Sequence, residues 1–426
     1  MIIFAEDKSA LLIGKASHGH YQIELACGAC HTQAFGGAEA MQNACENCHS
    51  AELEASHDSH RKKKFTDPRN ADRIEILDAR YCVSCHTEHQ VEQTRSMGLT
   101  LPTDYCYHCH KTIGEERESH AGLTYDSCAS AGCHNYHDNR ALYEEFLLNN
   151  ADQAWLHEPA KLDPPNAASL SRPATQQSIT QAEADAAQEK INPKIMQHWL
   201  SSSHALAGIN CSGCHAPTKN TWLEKPGLAV CESCHEQEAD GFKAGKHGMR
   251  LSNKMESHLG AINVEESPLE FKPEAAHRQQ GCNACHSAHE FNTQFAASEA
   301  CLACHNDEHS LAYLNSPHGE LWQRELAGEI DAGQGVSCAS CHMPRLTEKK
   351  RGKKITRVQH NQNDNLRPNE KMIRSVCMSC HGLEFAINAL ASQELIKNNF
   401  SGKPERHIES IDWAKKRNSS DTAKTK

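Results

Sequence analysis

The chain has 426 residues, 22 of them cysteines and 30 histidines; the hydrophobic class is 38%, aromatics are 5%, and the formal net charge is −11. Such an acidic surface repels phosphates and excludes nucleic acid as a partner, and no apolar run of about 18 residues is present to cross a bilayer. Side chains this polar cannot fill an ordinary core, so the buried apolar area must come from another source.

In chain order, the opening MIIFAEDKSALLIG has a short apolar start, no basic stretch and an early Glu6-Asp7, so no secretory leader is visible. Five cysteine motifs follow: CGACH (27–31), CENCH (45–49), CVSCH (82–86), CYHCH (106–110) and the wider CASAGCH (128–134). A short helix is predicted over NRALYEEFLLNN, whose Leu142, Phe146 and Leu147 share a face. The next stretch, LDPPNAASLSRPATQQSITQAEADAAQEK, is rich in Pro, Ala, Ser and Gln and reads as a linker. Six more motifs occupy 211–381: CSGCH (211–215), CESCH (231–235), CNACH (282–286), CLACH (301–305), CASCH (338–342) and CMSCH (377–381). Beyond them, Leu383, Ile387, Leu390 and Ile396 recur at helical spacing and predict one longer helix. The closing AKKRNSSDTAKTK reads as a disordered tail. The expected organisation is a five-motif domain at 1–150, a linker at 151–194 and a six-motif domain at 195–426.

The motif has a mechanical reason. Two thiols one turn apart reach the two vinyl groups of a haem, and the next residue aims its imidazole at the iron from the same side. Zinc sites take such cysteine pairs two by two, and iron–sulfur clusters want thiolates alone; neither requires a histidine after every second cysteine. Eleven motifs use all 22 cysteines. The cofactor expected is therefore haem c, eleven copies, each held by two thioethers and a proximal histidine. The attachment pairs are Cys27 and Cys30, Cys45 and Cys48, Cys82 and Cys85, Cys106 and Cys109, Cys128 and Cys133, and Cys211 and Cys214. The remainder are Cys231 and Cys234, Cys282 and Cys285, Cys301 and Cys304, Cys338 and Cys341, and Cys377 and Cys380. The proximal ligands are His31, His49, His86, His110, His134, His215, His235, His286, His305, His342 and His381. With porphyrin faces as the core, the fold expected is mainly α with much irregular loop and little or no sheet.

Nineteen histidines remain, enough to close every iron with a second imidazole, which favours a low potential. His89, His137 and His289 each follow a proximal histidine by three residues, and His309 by four. A histidine so close cannot reach the far face of the same iron, so it should ligate a neighbouring haem. The other distal candidates are His18, His57, His60, His120, His204, His247, His277 and His318; His108 and His407 read as bystanders. Two basic runs, RKKK (61–64) and RLTEKKRGKK (345–354), read as solvated loops, or as a docking patch for an acidic partner or a funnel for an anionic substrate.

The C-terminal half resembles the superfamily of hydroxylamine oxidoreductase, octahaem tetrathionate reductase and pentahaem nitrite reductase. The resemblance rests on HWLSSSHALAGINCSGCH (198–215), CESCHEQEADGFKAGKHG (231–248), CNACHSAHEFNTQFAASEACLACHNDEHSLAYLNSPHG (282–319), GVSCASCHMPR (335–345) and NDNLRPNEKMIRSVCMSCHG (363–382). The N-terminal part resembles class III and decahaem electron-conduit cytochromes by motif density. The superfamily resemblance implies an acidic residue and a histidine above an open haem, for which Glu308 and His309 are the catalytic candidates. The sequence departs from the family in two ways: no tyrosine follows Tyr313 to cross-link a haem, and no motif ends in lysine.

The leading expectation is electron transfer through a chain of mostly bis-histidine haems between redox partners outside the cytoplasm, in the periplasm or beyond, where haem c is attached. Membrane-bound quinol oxidising or outer-membrane electron-conduit components are the partners expected, and oligomers are compatible. The alternatives are a reductase of small nitrogen or sulfur oxyanions at one open haem in the C-terminal domain, and a subunit of a conductive filament.

Overall fold

The computed structural model describes residues 8–128 (except 34, 35, 57 and 59), 134–138, 178–187, 192–409 (except 219, 220, 253, 254, 256–259, 263, 265, 266, 268, 291, 351 and 406), 412 and 416. The helix expected over 139–150, most of the linker, Cys133, His57 and nearly all of the tail lie outside the described residues.

The fold is mainly helical, built from short helices and single turns joined by irregular loop. The longest helix, α1 (Ala38–Ala55), carries the second motif inside it. Helix α2 (Pro193–Leu200) starts at Asn192, whose side chain accepts hydrogen bonds from the amides of Lys194 and Ile195, with proline at the first helical position. Helix α3 (Glu236–Ala244) follows the seventh motif directly. Helix α4 (Pro317–Leu326) is capped by Ser316, whose Oγ accepts from the Gly319 amide at 3.1 Å. A Cβ at Gly319 would stand 2.0 Å from the Tyr313 carbonyl oxygen, so only glycine fits that close approach.

The basic run at 345–354 departs from the loop expected. It forms most of a two-stranded antiparallel hairpin, β1 (Arg345–Lys350) and β2 (Lys353–Val358), with Arg345 opposite Val358 and Lys350 opposite Lys353. Gly352 makes the turn at φ +78°, and Thr347 and Thr356 join their hydroxyls across the strands at 3.0 Å. The β-branched residues Thr347, Ile355, Thr356 and Val358 favour the extended chain.

The single helix expected after the last motif is two, α5 (Leu383–Leu390) and α6 (Gln393–Lys397). Ser392 caps α6 by accepting from the Leu395 amide at 3.4 Å, which breaks the run where one helix was expected. Helix α5 packs Leu383, Ala386, Ile387 and Leu390 with Met372 and Ile373 into the main apolar side-chain cluster. A smaller cluster joins Met196, Trp199 and Ala205. No helix among the described residues is long and apolar enough to cross a membrane.

Candidate haem-binding sites

Ten of the motifs, those wholly within the described residues, close on themselves. The amides of His31, His86, His110, His235, His286, His305 and His381 donate to the carbonyl of the first cysteine of their own motif, at 2.8 to 3.0 Å. His49, His215 and His342 lie inside or at the end of helices that begin at or before the motif. One helical turn thus brings two thiols and an imidazole to one side of the backbone, as the spacing requires.

The second histidines are where the structure adds most. Two imidazoles bound on opposite sides of one metal, each at a metal–nitrogen distance of roughly 2 Å, hold their ring centroids roughly 6 Å apart. In the five-motif part, His20 faces His49 at 5.9 Å, His60 faces His110 at 6.1 Å, His137 faces His86 at 6.2 Å and His120 faces His134 at 6.1 Å. Farther along, His289 faces His215 at 5.9 Å, His204 faces His235 at 6.0 Å and His360 faces His286 at 6.3 Å. His247 then faces His305 at 6.2 Å, His309 faces His342 at 6.0 Å and His318 faces His381 at 6.2 Å. Every one of these ten pairs joins one motif histidine to one histidine outside the motifs. Ordinary aromatic packing has no reason to respect that rule.

The orientation is set from behind. Nδ1 of His20 donates to Glu88 Oε1 at 2.7 Å, and Nδ1 of His49 to Glu52 Oε2 at 3.0 Å. Backbone carbonyls take the same role for His60 (Tyr136, 2.6 Å), His86 (Gly98, 3.1 Å), His215 (Leu223, 2.6 Å), His360 (Val358, 3.0 Å) and His309 (Ile396). Anchoring Nδ1 fixes the tautomer that leaves the Nε2 lone pair free for a metal. Burial holds His60, His86, His110, His120, His134, His204, His286, His289, His318 and His381 below the ordinary histidine value. Burial pushes His247 and His342 down to about 4. Neutral imidazole is the ligating form.

The space between the pairs fits large apolar groups. One continuous cavity of about 4520 Å³, lined mostly by carbon, runs past the motif cysteines and reaches residues of both the five-motif and six-motif parts. That is several times the ~300–1,000 Å³ of a pocket for one small ligand. A polar atom waits in its walls: among the described residues, buried Trp322 Nε1 has no hydrogen-bond partner, and neither has Asn365 Nδ2 in the adjoining segment. Lys246, which lines the cavity, is pushed down to about 8 by burial and by nearby Arg367, and burial lowers Arg367 as well. Neither cation has a carboxylate within ion-pair distance among the described residues, which suits the propionates of a haem.

The distal candidates divide clearly. His60, His120, His137, His204, His247, His289, His309 and His318 each sit across from a motif histidine. His18 and His277 do not: both rings are exposed and neither has a ring in contact among the described residues. The neighbour two residues on, His20, takes the place expected of His18, because Ser17 and Glu88 grip it. His360, at the foot of the hairpin, was not singled out by spacing. Glu308 lies on the surface with Lys397 at 3.2 Å, and His309 points at His342, so this pair does not frame an open position. His198 meets Glu290 at 3.3 Å instead of a motif histidine.

Two segments match known families: residues 19–111 match cytochrome c3, and residues 306–410 match cytochrome c552. The first holds four motifs together with His20, His60 and His89; the second holds two motifs together with His309, His318 and His360. The chain is a multihaem c-type cytochrome. It binds haem c covalently through its CxxCH-type motifs, and its work is electron transfer. No solved structure matches this cytochrome. The finer superfamily expected for the C-terminal half therefore rests on the motifs alone.

Proposed function

We propose that this cytochrome carries eleven haems, each iron closed by two histidines, and that it passes electrons between redox proteins outside the cytoplasm. The observation that supports this best is the set of ten facing histidine pairs, one for each motif except the first. Haem c supplies a one-electron Fe(III)/Fe(II) couple, and two imidazoles hold its potential low. The chain supplies the rest: thioethers, axial ligands, and anchors behind the ligands.

For the first motif we assign His89. Three histidines that follow a motif by three or four residues, His137, His289 and His309, face the motif histidine of a different site. His89 holds the equivalent place. Its Nδ1 donates to the Gly14 carbonyl at 2.9 Å, as the other distal rings are anchored, and its backbone is held at φ +63°. A Cβ at Gly14 would stand 2.3 Å from the His89 oxygen. A non-glycine residue at positive φ is costly and persists where the surroundings enforce it. The adjacent Glu88 also places its charge near Cys30 of the first motif.

An oxyanion reductase in the C-terminal part would need an open iron there. All six of its motif histidines already face another imidazole, which favours the electron carrier. Partners are proposed to dock on the hairpin, where Arg345, Lys349 and Lys354 are exposed on an otherwise acidic protein. The assignment of His89 is tested by carbon monoxide titration of the reduced protein. The parent should bind none, and His89→Ala should bind one equivalent; a parent that binds one, unchanged in the variant, removes His89 from the first site.

A further inference from the structure

Sequence order suggests that electrons pass from the fifth motif to the sixth, across the linker. The packing points elsewhere. Within each part, successive motifs touch: the thiols of Cys45 and Cys82, Cys106 and Cys128, Cys231 and Cys282, and Cys301 and Cys338 lie within hydrogen-bonding reach of one another. The remaining successive motifs are also neighbours, with Cys30 near Cys48, Tyr105 near both Cys85 and Cys106, Cys214 near Cys231, Cys285 near Cys304 and Cys341 near Cys377, so each part is a run of sites that follows the chain.

The two runs meet away from their joined ends. Lys246 Nζ donates to the His18 carbonyl at 3.2 Å, Gln22 Nε2 donates to the Lys246 carbonyl at 2.5 Å, and Arg250 Nη1 donates to the Gln22 carbonyl at 2.9 Å. The single turn Tyr21–Ile23 packs on the turn Met249–Leu251, and Gln22 is only 3% exposed. The receiving side is closely packed, since a Cβ at Gly248 would stand 2.4 Å from the Phe242 oxygen. His20 lies between the two gripped residues, 18 and 22, and His247 follows Lys246 directly. Glu52, which anchors His49, is also near enough for its charge to act on Asp364 of the other part. Two sites are therefore side by side: His20 with His49, of the second motif, and His247 with His305, of the ninth. An exposed Lys416–Glu118 pair at 3.9 Å is a further contact between the parts.

We propose that the latch of residues 18–22 on residues 246–250 is the electron junction between the two parts, so that the haem sites form a branched array with four ends instead of a single file. The proposal rests on the electron-carrier reading above. Each transfer oxidises one ferrous haem and reduces the next ferric one, with no bond made and no proton moved. A junction between inner members leaves the first, fifth, sixth and eleventh sites as ends, each available to a different partner.

The test injects electrons at one end and collects them at another. A ruthenium polypyridyl photosensitiser on Lys225→Cys, two residues from the carbonyl that anchors His215, serves as donor in the haem-loaded protein. His120→Met makes the fifth site the acceptor, because a methionine ligand raises its potential and changes its spectrum. Transfer should slow at least tenfold when the second haem is removed by Cys45→Ser with Cys48→Ser. Gln22→Ala with Arg250→Ala, which leaves every haem attached, should slow it several-fold and weaken the magnetic coupling between the second and ninth haems in paramagnetic resonance. Transfer at the parent rate in both variants overturns the junction. An acceptor that never reduces in the otherwise unaltered protein overturns the electron-carrier reading instead.

Discussion

Among the described residues, the five-motif part buries only Ala16, Ala44 and Tyr105 as apolar side chains, whereas the six-motif part buries nineteen, from Met196 to Leu395. Both parts carry the same motifs and the same facing histidines. They differ in what holds the backbone when the haems are set aside. Helix α5 gives the six-motif part a side-chain core of its own at Met372, Ile373, Leu383, Ala386, Ile387 and Leu390. The five-motif part has no such cluster among the described residues, and several of its tertiary polar contacts end on histidines of the facing pairs, as with Glu88 on His20 and Tyr136 on His60. A ligand scaffold can therefore be built with almost no side-chain core, provided the cofactor supplies the apolar area.

The largest expected effect follows from that contrast. Chain made without haem attachment should lose amide-exchange protection throughout residues 8–138, while residues 372–395 keep measurable protection. Equal loss in both parts would break the comparison. A smaller effect is expected inside the C-terminal core, where Ile373 and Leu383 are fully buried. Ile373→Ala should cost about 3 kcal/mol in the denaturant unfolding of the haem-loaded protein. It should accelerate exchange in α5 and α6 while leaving exchange near His60 and His86 unchanged.

The smallest effect concerns the C-terminal tail. His407 Nε2 bonds Asp412 at 2.6 Å, and that hydrogen bond raises the imidazole above its ordinary value. A raised value means the contact stabilises below the ordinary histidine range and is lost as pH rises through the folded-state value. Nuclear magnetic resonance titration of His407 should show the raised midpoint, and Asp412→Asn should return it to the ordinary range. Since His407 is exposed and faces no motif histidine, visible haem spectra should not change in that variant.

The cysteine motifs, their single-turn geometry and the helical character were legible in the sequence because all three are local. Eight of the ten histidines that face a motif histidine were legible too, singled out by surplus and by the short offset from a motif. His20 and His360 were not. His20 differs from His18 only in which of two neighbouring residues Glu88 reaches from 68 positions away. His360 is delivered to His286 by the hairpin, and a lysine-rich stretch gives little sign of strand until Gly352 turns it back. The break at Ser392 was hidden for a similar reason: apolar spacing continued across it, while the cap that ends the run is one hydroxyl. The junction between the two parts was wholly illegible, since it depends on three hydrogen bonds between residues more than 220 positions apart.

Eleven haems, all closed by two imidazoles, leave a distinct signature in the oxidised protein. Haem quantitation per chain, combined with paramagnetic resonance of the fully oxidised protein, tests for it most directly. Eleven haems with low-spin signals only are expected. Fewer than eleven, or a high-spin ferric signal amounting to one haem per chain, would contradict it.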